Sequence, residues 1–170
     1  MKEELSVKVR FAELKDLDFC IKSDLKHVDA YRGRAFMEKY LKRKIEAKEV
    51  ILAEVDGKPV GYLRLQYLGL IVPYLGIIVV NEKYRRKRVG TAMINFLEEY
   101  LLKHKGHKVF TCNGNALLYS SAEATAIESQ AWHRALGFKE CGIIAGCNEG
   151  GIGEIFFRKI LKKNKVEKSD

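Results

Sequence analysis

Hydrophobic and polar positions change period several times along the 170 residues. Residues 5–12, LSVKVRFA, alternate Val7, Val9 and Phe11 with polar neighbours, the period of a half-buried strand. In ELKDLDFCIKSDLKHV the side chains of Leu17, Cys20, Ile21 and Leu25 fall on one helical face. A second helix over residues 35–47 sets Phe36, Tyr40 and Leu41 on a stripe among lysines. In VILAEVDGKPVGYLRLQYL, Asp56-Gly57 separates two apolar-rich runs and predicts a hairpin. YLGIIVV, residues 74–80, is a continuous apolar run of the kind found in strands covered on both faces, with Pro73 at its entrance.

The most regular pattern follows. Val89, Ala92, Met93, Phe96, Leu97, Tyr100 and Leu101 recur at helical spacing, and Gly106 suits a terminator. KVFTCNGN and ALLYSS both have extended character, so the next strand is Val109–Asn113 or Leu117–Ser121, with the second favoured. ESQAWHRAL predicts a helix ending at Gly137, and ECGIIAGC and GEIFFRKIL predict two closing strands. The order is strand, two helices, hairpin, strand, helix, strand, helix, two strands. It predicts one α/β (α+β) domain over residues 1–161, with a basic, flexible tail over 162–170.

Composition adds a few bounds. Hydrophobic residues are 47% and charged residues 31%, as in a soluble globular chain. No apolar run approaches the ~20 residues that span a bilayer, and the charged start MKEELSVKVRF lacks a signal core, so no membrane partner is expected. Cys20, Cys112, Cys141 and Cys147 form no CxxC pair. Neither zinc nor a disulfide framework is expected, and a reducing cytoplasm is the simplest setting. His104 and His107 flank a helix end and read as surface residues, not metal ligands. The net charge of +9 raises nucleic acids and anionic ligands together.

Where that charge lies changes the picture. Lys83, Arg85, Arg86, Lys87 and Arg88 crowd the junction between the apolar run and the well-patterned helix. A helix N-terminus leaves backbone N–H groups unpaired and favours an anion. Positive side chains at that end disfavour the helix by roughly 0.3–1 kcal/mol each, which argues for a compensating phosphate. Gly90 leaves room for close approach. A solvated charge run is the plainer alternative. A nucleic-acid partner is not expected, because no zinc finger, aromatic-interleaved strand or helix-turn-helix is present to read one. GCNEGGIGE also looks like a phosphate cradle, but strands flank it and no helix follows, so it predicts a hairpin turn.

RRKRVG, residues 85–90, resembles the acetyl-CoA-binding loop of the GNAT superfamily of N-acetyltransferases, Arg/Gln-x-x-Gly-x-Gly/Ala between a strand and a helix. Arg85 and Gly90 match its ends, and Arg88 stands where the first glycine is usual. The EVDGKPVGYLRL hairpin and WHRALGFKECG, similar to the family's Y-x-x-x-GF segment, follow the family order. The resemblance implies a mixed, mostly antiparallel central sheet with helices on both faces and a V-shaped splay between two neighbouring strands. It implies acetyl-CoA as cosubstrate and no metal. Its pyrophosphate would meet Arg85, Arg86, Lys87, Arg88, Val89, Gly90 and Thr91, and its pantetheine would pair with Ile78, Val79 and Val80.

The resemblance further implies direct attack of an amine, from a small molecule or a peptide, on the acetyl thioester, and it allows a homodimer. The carbonyl oxygen would take a hydrogen bond from the Val80 N–H. The family's tyrosine four residues before the glycine of GF can protonate the leaving thiolate; His133 stands there and is the candidate general acid, with an exposed helix position as its plainer alternative. No Asp, Glu or His lies in YLGIIVV, and Glu54, Glu82, Glu128 and Glu154 are unassigned proton acceptors. Tyr31, Tyr62, Tyr67 and Trp132 are candidates for lining an acceptor site, or for packing the core.

Overall fold

A computed structural model of the chain describes residues 5–27, 33–104, 111–112 and 115–161. Tyr31, His107 and the tail over 162–170 lie outside the described residues. Strand β1 (Lys8–Phe11) leads through a single 3-10 turn, Leu14–Asp16, into helix α1 (Leu17–His27), and helix α2 (Gly33–Glu46) follows. Strands β2 (Val50–Val55), β3 (Lys58–Leu68) and β4 (Val72–Val80) come next, then helix α3 (Val89–Lys103). Strands β5 (Thr111–Cys112) and β6 (Asn115–Glu123), helix α4 (Ile127–Ala135) and strands β7 (Lys139–Ile144) and β8 (Glu154–Leu161) complete the chain. The fold is mixed α/β with mostly antiparallel strands, as expected.

The chain forms two compact units, Met1–Gln66 with Leu75–Leu97 and Tyr67–Tyr74 with Glu98–Asp170. In the first, the strand order is β1-β2-β3-β4. The β2–β3 hairpin closes at Asp56 and Gly57, both at positive φ (51° and 72°), the backbone that a two-residue turn of this hand requires. One core cluster packs Cys20 and Ile21 of α1 and Met37, Leu41 and Ile45 of α2 against Val50, Leu52 and Tyr62. The buried stripe of α2 is therefore 37/41/45, at i, i+4 spacing. Phe36, expected on that stripe, is exposed and stacks on Tyr40 at 6.1 Å. Helix α3 sits close to β3 because position 61 is glycine: a Cβ there would come within 2.9 Å of Met93 Cε.

In the second unit β8 pairs with both β6 and β7, and β5 pairs with β6. Of the two segments proposed for the strand after α3, Leu117–Ser121 lies within β6; of Val109–Asn113 only Thr111 and Cys112 are described, and they are extended opposite Ala116 and Asn115. The glycine-rich segment between β7 and β8 turns at Gly146, Gly150 and Gly151, all at positive φ, and makes the expected connection between antiparallel strands.

Candidate active site

The basic loop builds a concave row of amides. Arg85 has φ −63° and ψ 152°, and Arg86 and Arg88 both have φ 61°. The left-handed region costs a residue with a side chain roughly 1–2 kcal/mol. Two arginines adopt it within three positions, one of them at the usual glycine position of the motif. Left-handed residues of this kind occur in the turns whose successive N–H groups make anion-binding nests. The Arg88 carbonyl accepts the Ala92 N–H at 2.9 Å, which makes Arg88 the cap of α3. The N–H groups of Arg88, Val89, Gly90 and Thr91 then have no intrahelical acceptor.

The cations of this loop are exposed. Among the described residues none of Lys83, Arg85, Arg86, Lys87 and Arg88 pairs with a carboxylate. Arg85 Nε donates to the Val80 carbonyl at 3.2 Å, and Lys87 Nζ lies 5.6 Å from the Tyr84 ring centre. The loop and strand end are thus linked through Arg85. Amides without an intrahelical acceptor and exposed cations without a carboxylate partner among the described residues occur together in this loop, a donor set that suits a polyphosphate.

Tyr74 and residues 76–80 of β4 are half-buried, so the reading of this run as covered on both faces holds only for Leu75. An open cleft of about 420 Å³ accounts for part of the exposure. Phe19, Lys22 and Ser23 of α1 line it, with Val60, Gly61 and Tyr62 of β3 and Val79, Val80, Asn81, Glu82, Lys83 and Arg85. Its lining is mostly apolar, with Lys22, Glu82, Lys83 and Arg85 adding charge.

Behind the cleft lies an ionic cluster that the sequence reading missed. Asp24 is fully buried and Arg64 nearly so. Arg64 donates to Asp24 through Nε (2.9 Å) and Nη2 (3.1 Å), and through Nη1 to Tyr40 Oη (2.8 Å). The Tyr62 hydroxyl also donates to Asp24. Burial and the Asp24 charge hold Tyr62 well above the ordinary phenol range. Asp24 thus ties α1 to β3, and Tyr62, for all its place in the cleft wall, uses its hydroxyl inward.

His133 is buried, not exposed. Its ring stacks on Phe157 at 4.8 Å and meets Phe138 edge-on. Nδ1 faces the Ser129 carbonyl at 2.7 Å, so it carries the proton, and Nε2 accepts from Ser120 Oγ at 2.8 Å. Burial lowers its pKa and favours the neutral ring. Both nitrogens are engaged inside the protein, which leaves no free N–H to give to a thiolate. The four unassigned glutamates also separate. Glu54 is buried against Arg10, Glu82 and Glu128 are exposed, and Glu154 is half-buried among hydrogen-bond donors.

This loop-and-helix geometry, in this strand order, defines the class. The acetyltransferase (GNAT) family model matches residues 13–138, and the chain belongs to that family. Among curated proteins none matches. Ard1 from Thermoplasma volcanium superposes with a TM-score of 0.75 at 14% identity, over 94% of this chain and 100% of that one. A ribosomal-protein-alanine N-acetyltransferase from Brucella melitensis gives 0.70 at 23% identity, over 91% and 99%. Arabidopsis thaliana Naa50, in complex with the bisubstrate analogue CoA-Ac-MVNAL, gives 0.68 at 19% identity, over 91% and 99%. At these identities the likeness speaks for the fold. No helix among the described residues is long and apolar enough to cross a membrane.

Proposed function

We propose that the chain is an acetyl-CoA-dependent N-acetyltransferase that transfers an acetyl group to a primary amine by direct attack, and that it works in the cytoplasm. The observation that carries this reading is the loop of residues 85–91. It joins left-handed arginines, exposed cations without a carboxylate partner among the described residues, and the amides at the start of α3 that have no intrahelical acceptor. The donors there match a coenzyme A pyrophosphate, with Arg85, Arg86, Lys87 and Arg88 as side-chain partners and Val89, Gly90 and Thr91 as backbone partners. Ile78, Val79 and Val80 would pair with the pantetheine, and the Val80 N–H is the donor for the carbonyl oxygen. These contacts are remote from the reacting carbon, so they bind ground and transition states alike and act on affinity. The acceptor is the α-amine of a peptide or a small-molecule amine; the Brucella protein and Naa50 act on or bind peptide chains, which favours the first.

The test is a thermal-shift series with acetyl-CoA, free coenzyme A and an oligonucleotide, followed by an amine and peptide panel with thiol release as readout. Acetyl-CoA at about 100 times its Kd should stabilise the protein by about 2.7 kcal/mol. Gly90→Val should lose most of that shift while keeping its fold. A folded Gly90→Val with unchanged affinity refutes the clamp, and a shift with oligonucleotide alone refutes the reading as a whole.

A further inference from the structure

Helix α1 works on two faces. Cys20 and Ile21 pack into the core, and Asp24, on the same side, bonds to Tyr62 and Arg64 of β3. Phe19, Lys22 and Ser23, at i, i+3 and i+4, form a second face and make one wall of the open cleft of about 420 Å³. That volume falls in the range of small-ligand sites, roughly 300–1,000 Å³. The buried Asp24–Arg64 pair holds α1 against β3, so this wall is in place without a ligand.

The charge on the lining is lopsided. Lys22 comes from α1, and Lys83 and Arg85 from the segment after β4, against one carboxylate, Glu82. The acids of α1 do not offset Lys22: Asp18 pairs with Arg34 and Asp24 with Arg64. Lys22 is exposed and has no carboxylate partner among the described residues. It stands outside the basic loop, so a phosphate at the start of α3 does not account for it. The rest of the lining includes Phe19, Val60, Val79 and the Tyr62 ring, and the Tyr62 hydroxyl is spent on Asp24. Such a lining suits a molecule with an apolar part and a negative charge. Val80 lines the same cleft, and on the proposed function its N–H marks the place of the reacting carbonyl.

We propose that Lys22, together with Lys83, selects a peptide acceptor whose second residue is acidic. This rests on the acetyltransferase reading and deepens it by naming the acceptor class. The α-amine has to reach the thioester carbon beside Val80. A small first side chain then rests on the apolar lining, and the next side chain brings its carboxylate to Lys22 and Lys83. Arg85 is left to the coenzyme, with its Nε held by the Val80 carbonyl. A basic second residue meets the same cations and is rejected, so the site discriminates by repulsion as well as by attraction. Lys22 takes no part in bond making; it is a specificity-determining residue.

The experiment measures kcat/KM, at saturating acetyl-CoA, for peptides that begin Ala-Glu, Ala-Gln and Ala-Lys and are otherwise identical, and for free glutamate. Wild type, Lys22→Gln and Lys22→Glu are compared, and the acetyl-CoA thermal shift reports that each is folded. Wild type should favour Ala-Glu over Ala-Gln by about 3–10-fold, the scale of one or two exposed ion pairs, and over Ala-Lys by more. Raising the salt from about 0.05 to 0.5 M should shrink that preference. Lys22→Gln should lose most of it, and Lys22→Glu should reverse it, so that Ala-Lys becomes a better acceptor than Ala-Glu. The acetyl-CoA KM should change by less than about threefold, because Lys22 acts on the acceptor. Equal use of the three peptides, a preference for Ala-Glu that survives Lys22→Glu, or a Lys22→Glu effect confined to the acetyl-CoA KM overturns the selector and leaves the acetyltransferase reading intact. Free glutamate used better than Ala-Glu overturns the peptide assignment. A wild type that binds acetyl-CoA and acetylates no amine overturns the acetyltransferase reading and the selector with it.

Discussion

Replacing Asp24 by alanine removes the single carboxylate that neutralises a buried guanidinium. Asp24 is 0% exposed and Arg64 4%. In Asp24→Ala, Arg64 keeps only its bond to Tyr40 Oη at 2.8 Å, and the Tyr62 hydroxyl loses its acceptor. Breaking a buried pair from one side costs about 3–5 kcal/mol, and an orphaned buried hydroxyl about 1–3 kcal/mol. The two penalties share a cavity and do not add fully, so the loss should be about 4–6 kcal/mol, a large part of the ~5–15 kcal/mol that holds a domain together. At about 2–4 °C per kcal/mol for a chain of this size, Tm should fall by roughly 8–24 °C. Urea unfolding followed by far-UV circular dichroism, with the slope unchanged, measures it. Asp24→Leu combined with Arg64→Met and Tyr62→Phe leaves no charge or hydroxyl to orphan and should regain most of the loss. An Asp24→Ala protein within about 1 kcal/mol of wild type, or a triple variant no better than the single one, refutes the assignment of the penalty to uncompensated burial.

Arg88→Gly should have opposite effects on two observables: it relieves a left-handed backbone and stabilises the fold by up to about 1–2 kcal/mol, yet it removes a phosphate partner and should weaken acetyl-CoA binding in the same thermal-shift assay. His133 has a folded pKa below its unfolded value of about 6.5, so the unfolded chain binds the extra proton; its contribution to stability is full above that value and is lost as pH falls below it through the lower folded pKa. Stability measured from pH 7.5 to 5 should show this slope, and His133→Gln should flatten it. Thiol labelling of the native protein should modify Cys141 and Cys147, which are exposed, and spare Cys20, whose pKa burial pushes up to about 12.

Features set by neighbours in sequence were legible. Asp56-Gly57 demands its turn locally, and the helix of 89–103 carries its whole apolar face in one periodic run. The free amides of the basic loop were legible because they are a consequence of where a helix starts. Features set across the chain were not. Asp24 lies three residues from Ile21 and four from Cys20, on the same apolar face, but a stripe read for hydrophobicity passes over an acid. The signal for its partner was present: Tyr62, Arg64 and Gln66 alternate with Leu63 and Leu65, placing one polar face of β3 toward the helices. His133 sits on a short helix whose polar pattern says surface. Its burial comes from Phe138 and Phe157, and Phe157 is 24 residues away in sequence (133 to 157) on β8. Glu154 could be named but not assigned, because its partners come from β4, β6 and the β7–β8 connection.

The missing side chain at Gly61 has a mechanical consequence. Met93 fills the notch that Gly61 leaves, with Ala53 Cβ just 3.2 Å from where a Cβ would stand. The thioether acts as a key in a slot and blocks sliding of α3 along its own axis. Met93 is one turn from Val89, so the same key fixes how far the first amides of the helix project beyond the sheet. A methyl group added at position 61 would push on the helix a full turn away from its first amides and still displace them. On the proposed function, cofactor affinity is gauged, in part, by a residue on β3 that contributes only a hydrogen atom.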